Sequence, residues 1–387
     1  MAIQFIIGDL LTGRRIQTLP ALAGRWSEVI NDAGEVSCTV SLRDPMVKRL
    51  GLRESAAVGK AFLAAVDGDT VLQAGPVWDH DWDGDSRKLT LRAAGLLSYF
   101  DHRVVLPVLA GRLPSDPTTD TRYMPQDLDP ESEYPWPSDT RSSLQGVMVG
   151  LFEQAMSWPS ADIPLTLPAV IPGTAERPYR GSDVAPVGER VRELTQVIGG
   201  PEVRLTGQWT TDRLGLEWVA EIGTPDEPLI FSPQRPVFYV GTSKSSVGRL
   251  RVKVSGSSLA SQTFASGGRS IDEALVSVST DSTLLDAGYP FLESVDSSHS
   301  TVQELATLQN YSDEAVARAR KPREVWAFTH NVSTAPFLSS FRAGDFADVR
   351  VVDDPYIPVG SHGMRITGRS GDAKSKEVNL EFGPEVV

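Results

Sequence analysis

Cysteine is almost missing from this 387-residue chain, since Cys38 is the only one. A single thiol excludes an intramolecular disulfide and a cysteine-based metal site. No apolar run reaches the roughly 18 to 20 residues that a membrane-spanning helix needs. The first residues, Met1–Asp9, lack the basic start and long apolar core of a signal peptide, so we predict a first strand there.

Basic residues are also in deficit, with 37 Lys and Arg against 50 Asp and Glu, for a formal net charge of −13. Affinity for nucleic acid comes from clustered Lys and Arg that neutralise phosphates. The charge therefore argues against a surface that grips DNA, and it is compatible with a wall along which DNA slides. The hydrophobic content of 40% is that of an ordinary folded protein.

Catalytic motifs are missing as well. The five histidines do not pair at the spacing of a zinc-binding helix, and neither a nucleophile elbow nor a dinucleotide or phosphate loop is present. We therefore predict no catalytic residue, no cofactor-binding residue and no enzyme activity. The histidines, each predicted to be structural or exposed, are His80, His102, His299, His330 and His362.

One stretch approaches a metal-binding motif. Asp79, Asp81 and Asp83, followed by Gly84, match the opening of a calcium loop. The twelfth position of that loop needs a bidentate Glu, but here it is Thr90. We predict a solvated hairpin with an acidic face and no metal site.

Strand patterns dominate both ends of the chain. From Val36 to Leu42 apolar residues alternate with polar ones, which is the period of a half-buried strand. A hairpin is predicted from Val71–Trp82 and Lys88–Ala94 across an Asp-Gly turn. Strands return in the last part of the chain, at 325–328, 341–351 and 364–368. The ends therefore predict two β modules.

Helical patterns lie between the two β modules. Apolar residues recur at helical spacing from Leu144 to Met156, with Ser138 or Asp139 as candidate caps and Pro159 as the stop. A second helix is predicted at 187–198, followed by a hairpin at 203–209 and 214–222. Thr301 and Glu304 fit a capping box for a helix through Leu308, with a further turn or two starting at Ser312.

The fold class that follows is mainly β, with α+β insertions. In this interpretation two similar β domains are interrupted by helix-containing inserted domains. The predicted domains are a first β domain at 1–106, an inserted α+β domain at 107–228, a second β domain formed by 229–256 and 323–387, and a second insertion with a helix at 257–322.

Four segments give the sequence a resemblance to a known family. They are Trp26–Pro45, the set Ala74–Val77 with Leu89–Leu91 and Gly95–Tyr99, the turn Ile198–Glu202, and Phe341–Asp345. In kind and order these segments resemble the baseplate hub, or tail-tip hub, proteins of long-tailed bacteriophages, which are labelled minor tail proteins in phages of actinobacteria. None of the segments is a catalytic signature.

The resemblance implies a structural protein with two tail-tube-like β domains per chain. It implies a homotrimer whose ring matches a hexameric tail tube. The ring would contact tail-tube or distal ring proteins on one side and other tail-tip, spike or fibre proteins on the other. It would enclose DNA that passes without sequence-specific binding. The implied location is the phage tail tip of the virion, assembled in the bacterial host cytoplasm. Because the chain stops at Val387, no lytic extension is expected.

Two alternatives remain open from the residues. A carbohydrate- or host-receptor-binding tail module would use exposed aromatic side chains, for which Trp78, Trp82, Trp136 and Trp158 are the candidates. A tail-associated cell-wall hydrolase would need an acidic pair or a metal site, and many acidic residues are available for such a pair.

Overall fold

A computed structural model describes most of the chain. The described residues are 3–105, 143–158, 160–174, 179, 185–197, 199–224, 230–242, 245–270, 273–297, 302 and 305–384. Several sequence predictions lie outside these ranges, namely those for Trp136, Ser138, Asp139, Pro159, His299, Thr301 and Glu304.

Strands are the main elements of the described chain. They are β1 Gln4–Asp9, β2 Arg15–Leu19, β3 Ala23–Val29, β4 Glu35–Ser41, β5 Ala61–Asp67, β6 Thr70–Asp83, β7 Lys88–Ala94, β8 Leu165–Thr166, β9 Glu202–Trp209, β10 Leu216–Gly223, β11 Val237–Val240, β12 Val247–Ser255, β13 Gln262–Ser270, β14 Glu273–Thr280, β15 Glu293–Asp296, β16 Arg323–Asn331, β17 Phe346–Val351, β18 Gly360–Asp372 and β19 Glu377–Pro384.

The helices are fewer and mostly short. They are α1 Pro45–Arg49, α2 Leu52–Ser55, α3 Leu97–Phe100, α4 Leu144–Met156, α5 Val187–Thr195, α6 Thr283–Asp286 and α7 Leu305–Ala319, with a 3-10 turn at Leu338–Ser340. No helix in the described ranges is long and apolar enough to cross a membrane.

The chain divides into two compact units. The first contains Met1–Gly248 and Thr329–Leu380, and the second contains Arg249–Phe328 and Glu381–Val387. The second unit includes the whole of the predicted insertion at 257–322. The predicted division into two similar β domains remains a prediction.

In the first unit the strands form one long path, in the order β18-β3-β4-β7-β6-β5-β1-β2, with β17 added to β18 and β11 added to β17. Every pairing along this path is antiparallel except β11 with β17. Strand β4 shows the predicted alternation, because Val36, Cys38 and Val40 are buried while the residues between them are not.

Two long strands change partner part-way along. The first part of β6 pairs with β5 up to Pro76, and from Val77 onward β6 pairs with β7, with a bulge between Val77 and Asp79. Likewise, β18 pairs with β17 up to Arg365 and with β3 from Gly368. Strands of this kind form the corners at which one sheet turns into the next.

The inserted helices and hairpin share a core with the first β module. Phe62 of β5 meets the Trp218 ring of β10 edge-on at 5.6 Å, and Phe100 meets Phe152 of α4 at 4.7 Å. All four side chains are fully buried. The insertion is therefore packed onto the β module by large aromatic side chains, whose burial is a main source of core stability.

Helix α4 has the predicted apolar stripe and extent, but its cap differs from the candidates proposed. The Ser143 hydroxyl accepts a hydrogen bond from the Gly146 amide at 3.1 Å, so Ser143 is the N-cap. Position 143 directly precedes the first helical residue, and only there does a side-chain oxygen reach an amide of the first turn. Helix α5 ends at Thr195, three residues before the predicted end.

The second unit contains a three-stranded sheet in the order β14-β13-β15, with α7 packed on it. Helix α7 is continuous, and the predicted break near Ser312 is wrong. The Ser312 hydroxyl donates to the Gln309 carbonyl at 2.9 Å and bonds to Ser279 at 2.7 Å. A serine satisfied in this way stays inside a helix instead of capping a new one.

Candidate functional site: a buried arginine junction

Three arginines lie almost fully buried in the first unit, each paired with a carboxylate. Arg204 is on β9, and Arg365 and Arg369 are on β18. Their partners are Glu221, Glu202 and Glu28. Together with Asp345 we call this set of seven residues the arginine junction. A buried guanidinium must be paired and hydrogen-bonded, because desolvation otherwise makes it costly.

Arg369 links the two ends of the chain. Its Nε donates to Glu28 Oε2 at 2.5 Å, and its Nη1 donates to the carbonyls of Leu338 and Phe341 at 3.0 and 2.6 Å. The guanidinium lies over the Trp26 ring, with 5.4 Å from Cζ to the ring centroid. The same Glu28 oxygen accepts the Ala343 amide at 3.0 Å. Glu28 therefore fixes both a strand and a loop of the C-terminal β segment.

Arg365 links β18 to the inserted hairpin. Its two terminal nitrogens donate to the two oxygens of Glu202 at 2.5 and 2.6 Å, a bidentate pair. The remaining donors reach the carbonyls of Gly344 at 3.1 Å and Ile230 at 3.2 Å. This planar fork suits arginine and not lysine.

Gly344 fits the junction because of its backbone. Its φ is +101°, which L side chains rarely adopt, and a Cβ there would lie 2.9 Å from the Ile230 carbonyl oxygen. The Gly344 amide donates to the Ile366 carbonyl at 2.7 Å. The tight turn keeps the Gly344 carbonyl within reach of Arg365.

Arg204 completes the junction from β9. It binds both oxygens of Glu221, at 2.8 and 3.0 Å, and its Nη1 donates to the Ala343 carbonyl. Burial alone would raise the pKa of Glu221, but the hydrogen bonds and charge of Arg204 outweigh it and hold that pKa below its usual value. Glu221 is therefore the ionised partner of Arg204.

For Asp345, burial has a larger effect on the pKa than the neighbouring donors and charges. Its carboxylate accepts the amides of Ser232 and Arg342, each at 2.7 Å. Burial raises the pKa of Asp345, and the amides and the charges of Arg204 and Arg369 only partly oppose this. The Asp345 side chain organises the loop backbone and does not pair directly with an arginine.

Segments that are far apart in the sequence meet at the arginine junction. Glu28 comes from the predicted segment 26–45, Glu202 from the turn 198–202, and Ala343, Gly344 and Asp345 from the segment 341–345. Of the remaining segment, the Gly95 amide donates to the Gly34 carbonyl at 2.6 Å. Gln73, which directly precedes Ala74, donates to the Ser27 carbonyl at 2.9 Å. Sequence reasoning selected the segments but missed Arg204, Arg365 and Arg369.

The acidic hairpin has the exposed form predicted for it. Asp81 pairs with Arg92 at 3.2 Å. Asp83 accepts hydrogen bonds from Ser86 and from the Asp85 amide, which lower its pKa. Within the described ranges, no three His, Cys, Asp or Glu side chains group closely enough to hold a metal ion.

The histidines of the described ranges each have a local partner. His80 bonds to the Ala56 carbonyl at 2.6 Å, and the His102 ring packs on Trp78 at 4.3 Å. His362 reaches the Pro358 carbonyl at 2.8 Å. The imidazole of His330 is buried between the Ser246 hydroxyl at 3.0 Å and the Pro336 carbonyl at 2.7 Å.

The tryptophans proposed for ligand recognition have separate surroundings. Trp78 donates to the Ser98 hydroxyl at 2.8 Å, and Trp158 lies beneath the guanidinium of Arg103. Trp82, near the end of β6, is half exposed. These contacts give Trp78 and Trp158 a packing role.

Known proteins resemble this chain in fold and not in sequence. No protein-family model and no curated protein matches the chain. The tail protein from Neisseria meningitidis MC58 has a TM-score of 0.56 at 13% identity, covering 98% of this chain and 97% of that one. The 43 kDa tail protein of prophage MuSo2 from Shewanella oneidensis has a TM-score of 0.54 at 12% identity, with the same coverage of both chains. The chain has the fold of these tail proteins.

The likeness confirms the predicted fold class, which is mainly β with helix-bearing insertions. The match extends over nearly the full length of both chains, so it includes the insertions as well as the strands. At this level of identity the shared property is the fold.

Proposed function

We propose that the protein is a structural component of a phage tail, specifically a tail-tip or baseplate hub. The observation that carries the proposal is the full-length likeness to two tail proteins, with 98% of this chain covered in each case. In this proposal the protein is assembled in the bacterial host cytoplasm and acts at the tail tip of the virion.

The proposed assembly is a homotrimeric ring. Each chain contributes two tube-like β domains, so three chains supply six positions for contact with a hexameric tail tube. Two features support a duplication, namely the β-rich segments at both ends of the chain and the change of partner in both β6 and β18. Closed rotational symmetry also covers sheet edges that a single chain leaves open.

The proposed ring joins the tail tube to distal spike or fibre proteins and encloses the DNA passage. The net charge of −13 supports this role, because a wall rich in fixed cations would bind the phosphates and retard the DNA. The arginines of the junction are paired and buried, so they add no cationic surface. The protein acts without catalysis in this proposal.

Native mass spectrometry of the purified protein, together with imaging of tail tips, tests the proposal. We expect a particle of three 41.9 kDa chains that lies on the tail axis. Six copies per tip, or one copy off the axis, would favour a tube, fibre or receptor-binding role. Release of cell-wall fragments by the purified protein would contradict the non-enzymatic role.

A further inference from the structure

Arg369 uses only part of its hydrogen-bonding capacity. A guanidinium carries five N–H groups, and in Arg369 the three on Nε and Nη1 donate to a carboxylate and two backbone carbonyls. The other two, on Nη2, are buried and have no acceptor among the described residues. In Arg204 and Arg365 all three nitrogens donate. The most deeply buried arginine of the junction is therefore the one with unpaired donors.

The carboxylate of Glu28 has an unused oxygen next to these donors. Arg369 Nε and the Ala343 amide both donate to Oε2, and no described residue donates to Oε1. Glu221 shows the complete form of such a pair, because its two oxygens accept from Nε and Nη2 of Arg204. In the Arg369 pair, Nη2 and Oε1 are thus a donor and an acceptor that do not bond to each other.

A third polar group without a partner lies beside this pair. Trp26 Nε1 is buried, and the described part of the chain offers it no acceptor. Trp26 and Glu28 are two residues apart on β3, so their side chains lie on one face, and they are in register with Gly371 and Arg369 of β18. The ring face of Trp26 attracts the guanidinium, but this contact supplies no acceptor for the indole N–H.

We propose that an internal water molecule binds here, accepting from Arg369 Nη2 and Trp26 Nε1 and donating to Glu28 Oε1. Buried waters typically make about three hydrogen bonds, and their partners are buried polar groups that would otherwise be unpaired. Two donors and one acceptor on neighbouring side chains fit that requirement. Without the water, each of the three groups would be removed from solvent with no compensating bond, which is unfavourable.

Charge and hydrogen-bonding capacity select water over an ion. The Arg369 guanidinium is already paired with Glu28, so a chloride ion would add a second negative charge beside that carboxylate. An anion also has no hydrogen to donate to Oε1. A metal cation does not fit, because two of the three groups are N–H donors. Water both donates and accepts, and it is neutral.

The proposed water extends the ion pair to a third side chain. Glu28 and Arg369 bond directly through Oε2 and Nε, and the water joins their remaining atoms to Trp26. Strand β3 is then fixed to Arg369 of β18 at two positions on the same face, 26 and 28. This inference concerns one folded chain and does not depend on the proposed ring.

A crystal structure at a resolution that shows ordered waters tests the site directly. We expect one peak of density within about 3.2 Å of Arg369 Nη2, Trp26 Nε1 and Glu28 Oε1. Crystals grown in bromide in place of chloride should give no anomalous signal at that peak. A bromide signal would identify a halide site and overturn the inference. So would the absence of a peak between well-ordered side chains.

An isosteric replacement of Trp26 supplies a second readout. Benzothienylalanine has a sulfur atom in place of the indole N–H and nearly the same shape, so it removes the bond to the water without opening a cavity. The matched control is the same replacement of Trp218, whose N–H donates to the Ala74 carbonyl at 3.2 Å. We expect each replacement to raise the equilibrium constant of unfolding by about threefold to tenfold.

The sign of the change at Trp26 separates the outcomes. An N–H that has no partner in the folded protein is better removed, so a constant that falls or stays the same at Trp26, while it rises at Trp218, would overturn the bridging water. Circular dichroism verifies that both replaced proteins are folded. A rise at both positions, with density at the site, supports the inference.

Discussion

Arg369 and Glu28 form a buried ion pair between residues 341 positions apart, with 2.5 Å between Arg369 Nε and Glu28 Oε2. The arginine side chain is 1% exposed and the glutamate side chain 8%. This pair holds a strand from the start of the chain against one from its end. It is the most deeply buried of the three pairs in the arginine junction.

Removing one member of this pair should be strongly destabilising. Arg369→Met leaves the Glu28 carboxylate buried without its counter-charge, so we expect the free energy of unfolding to fall by about 3–5 kcal/mol. Urea unfolding followed by tryptophan fluorescence measures the change. Arg25→Met is the control, since Arg25 lies 3.9 Å from Asp372 on the surface and its removal should leave the midpoint nearly unchanged. Equal effects of the two substitutions would refute a special role for the buried pair.

Replacing Arg365 by lysine should separate geometry from charge. An ammonium group cannot bind both oxygens of Glu202 and two carbonyls together, so we expect Arg365→Lys to lower the free energy of unfolding by about 1.5–3 kcal/mol. A double-mutant cycle with Glu202→Gln should give a coupling energy above about 1 kcal/mol. Additive effects would mean that the two side chains do not act as a pair.

Stability should fall on mild acidification because of His330. Burial lowers the pKa of His330 below its ordinary value of 6.5, an effect larger than the opposing hydrogen bonds to backbone carbonyls. The unfolded chain therefore takes up a proton first as the pH drops below 6.5, and the folded state loses stability until its own lower pKa is reached.

Thermal unfolding at pH 7.5 and pH 5.5 measures this loss. We expect His330→Gln, which keeps a donor for the Pro336 carbonyl, to show a smaller decrease in melting temperature between the two pH values than the wild type. An unchanged difference would assign the pH dependence to other groups.

Cys38 should be unreactive in the folded protein. Burial raises the pKa of its thiol to about 12, so the nucleophilic thiolate is scarce near neutral pH. We expect no alkylation by iodoacetamide at pH 8 until the chain is unfolded, and then one label per chain. Val359→Cys, at a position 70% exposed, should take up one label while folded. Rapid labelling of native Cys38 would show that β4 opens readily.

Local elements were predictable because their patterns lie within a few residues. The alternation in β4, the apolar stripe of α4 and the hairpin β9–β10 were identified within two residues of their ends. Periodicity within one window encodes these elements. The continuous helix α7 was missed, since Ser312 resembles a cap until the sheet that binds it is known.

The arginine junction was predictable only in part. Segments 26–45, 198–202 and 341–345 were identified by their order along the chain, and the structure brings them together. The local sequences around Arg204, Arg365 and Arg369 do not differ from those of exposed arginines on strands. These side chains are buried because residues far apart in the sequence pack around them.

The sequence by itself determined a mainly β chain with helix-bearing insertions, one inert cysteine and an acidic balance, because composition and short periodicities carry that information. Tertiary structure decided which strands pair, which arginines are buried and which face of β14 is covered. Alternation from Val276 to Thr280 defines two faces but does not say which one meets α7. That choice depends on the helix packed against the sheet, and such long-range packing is not encoded in any local pattern.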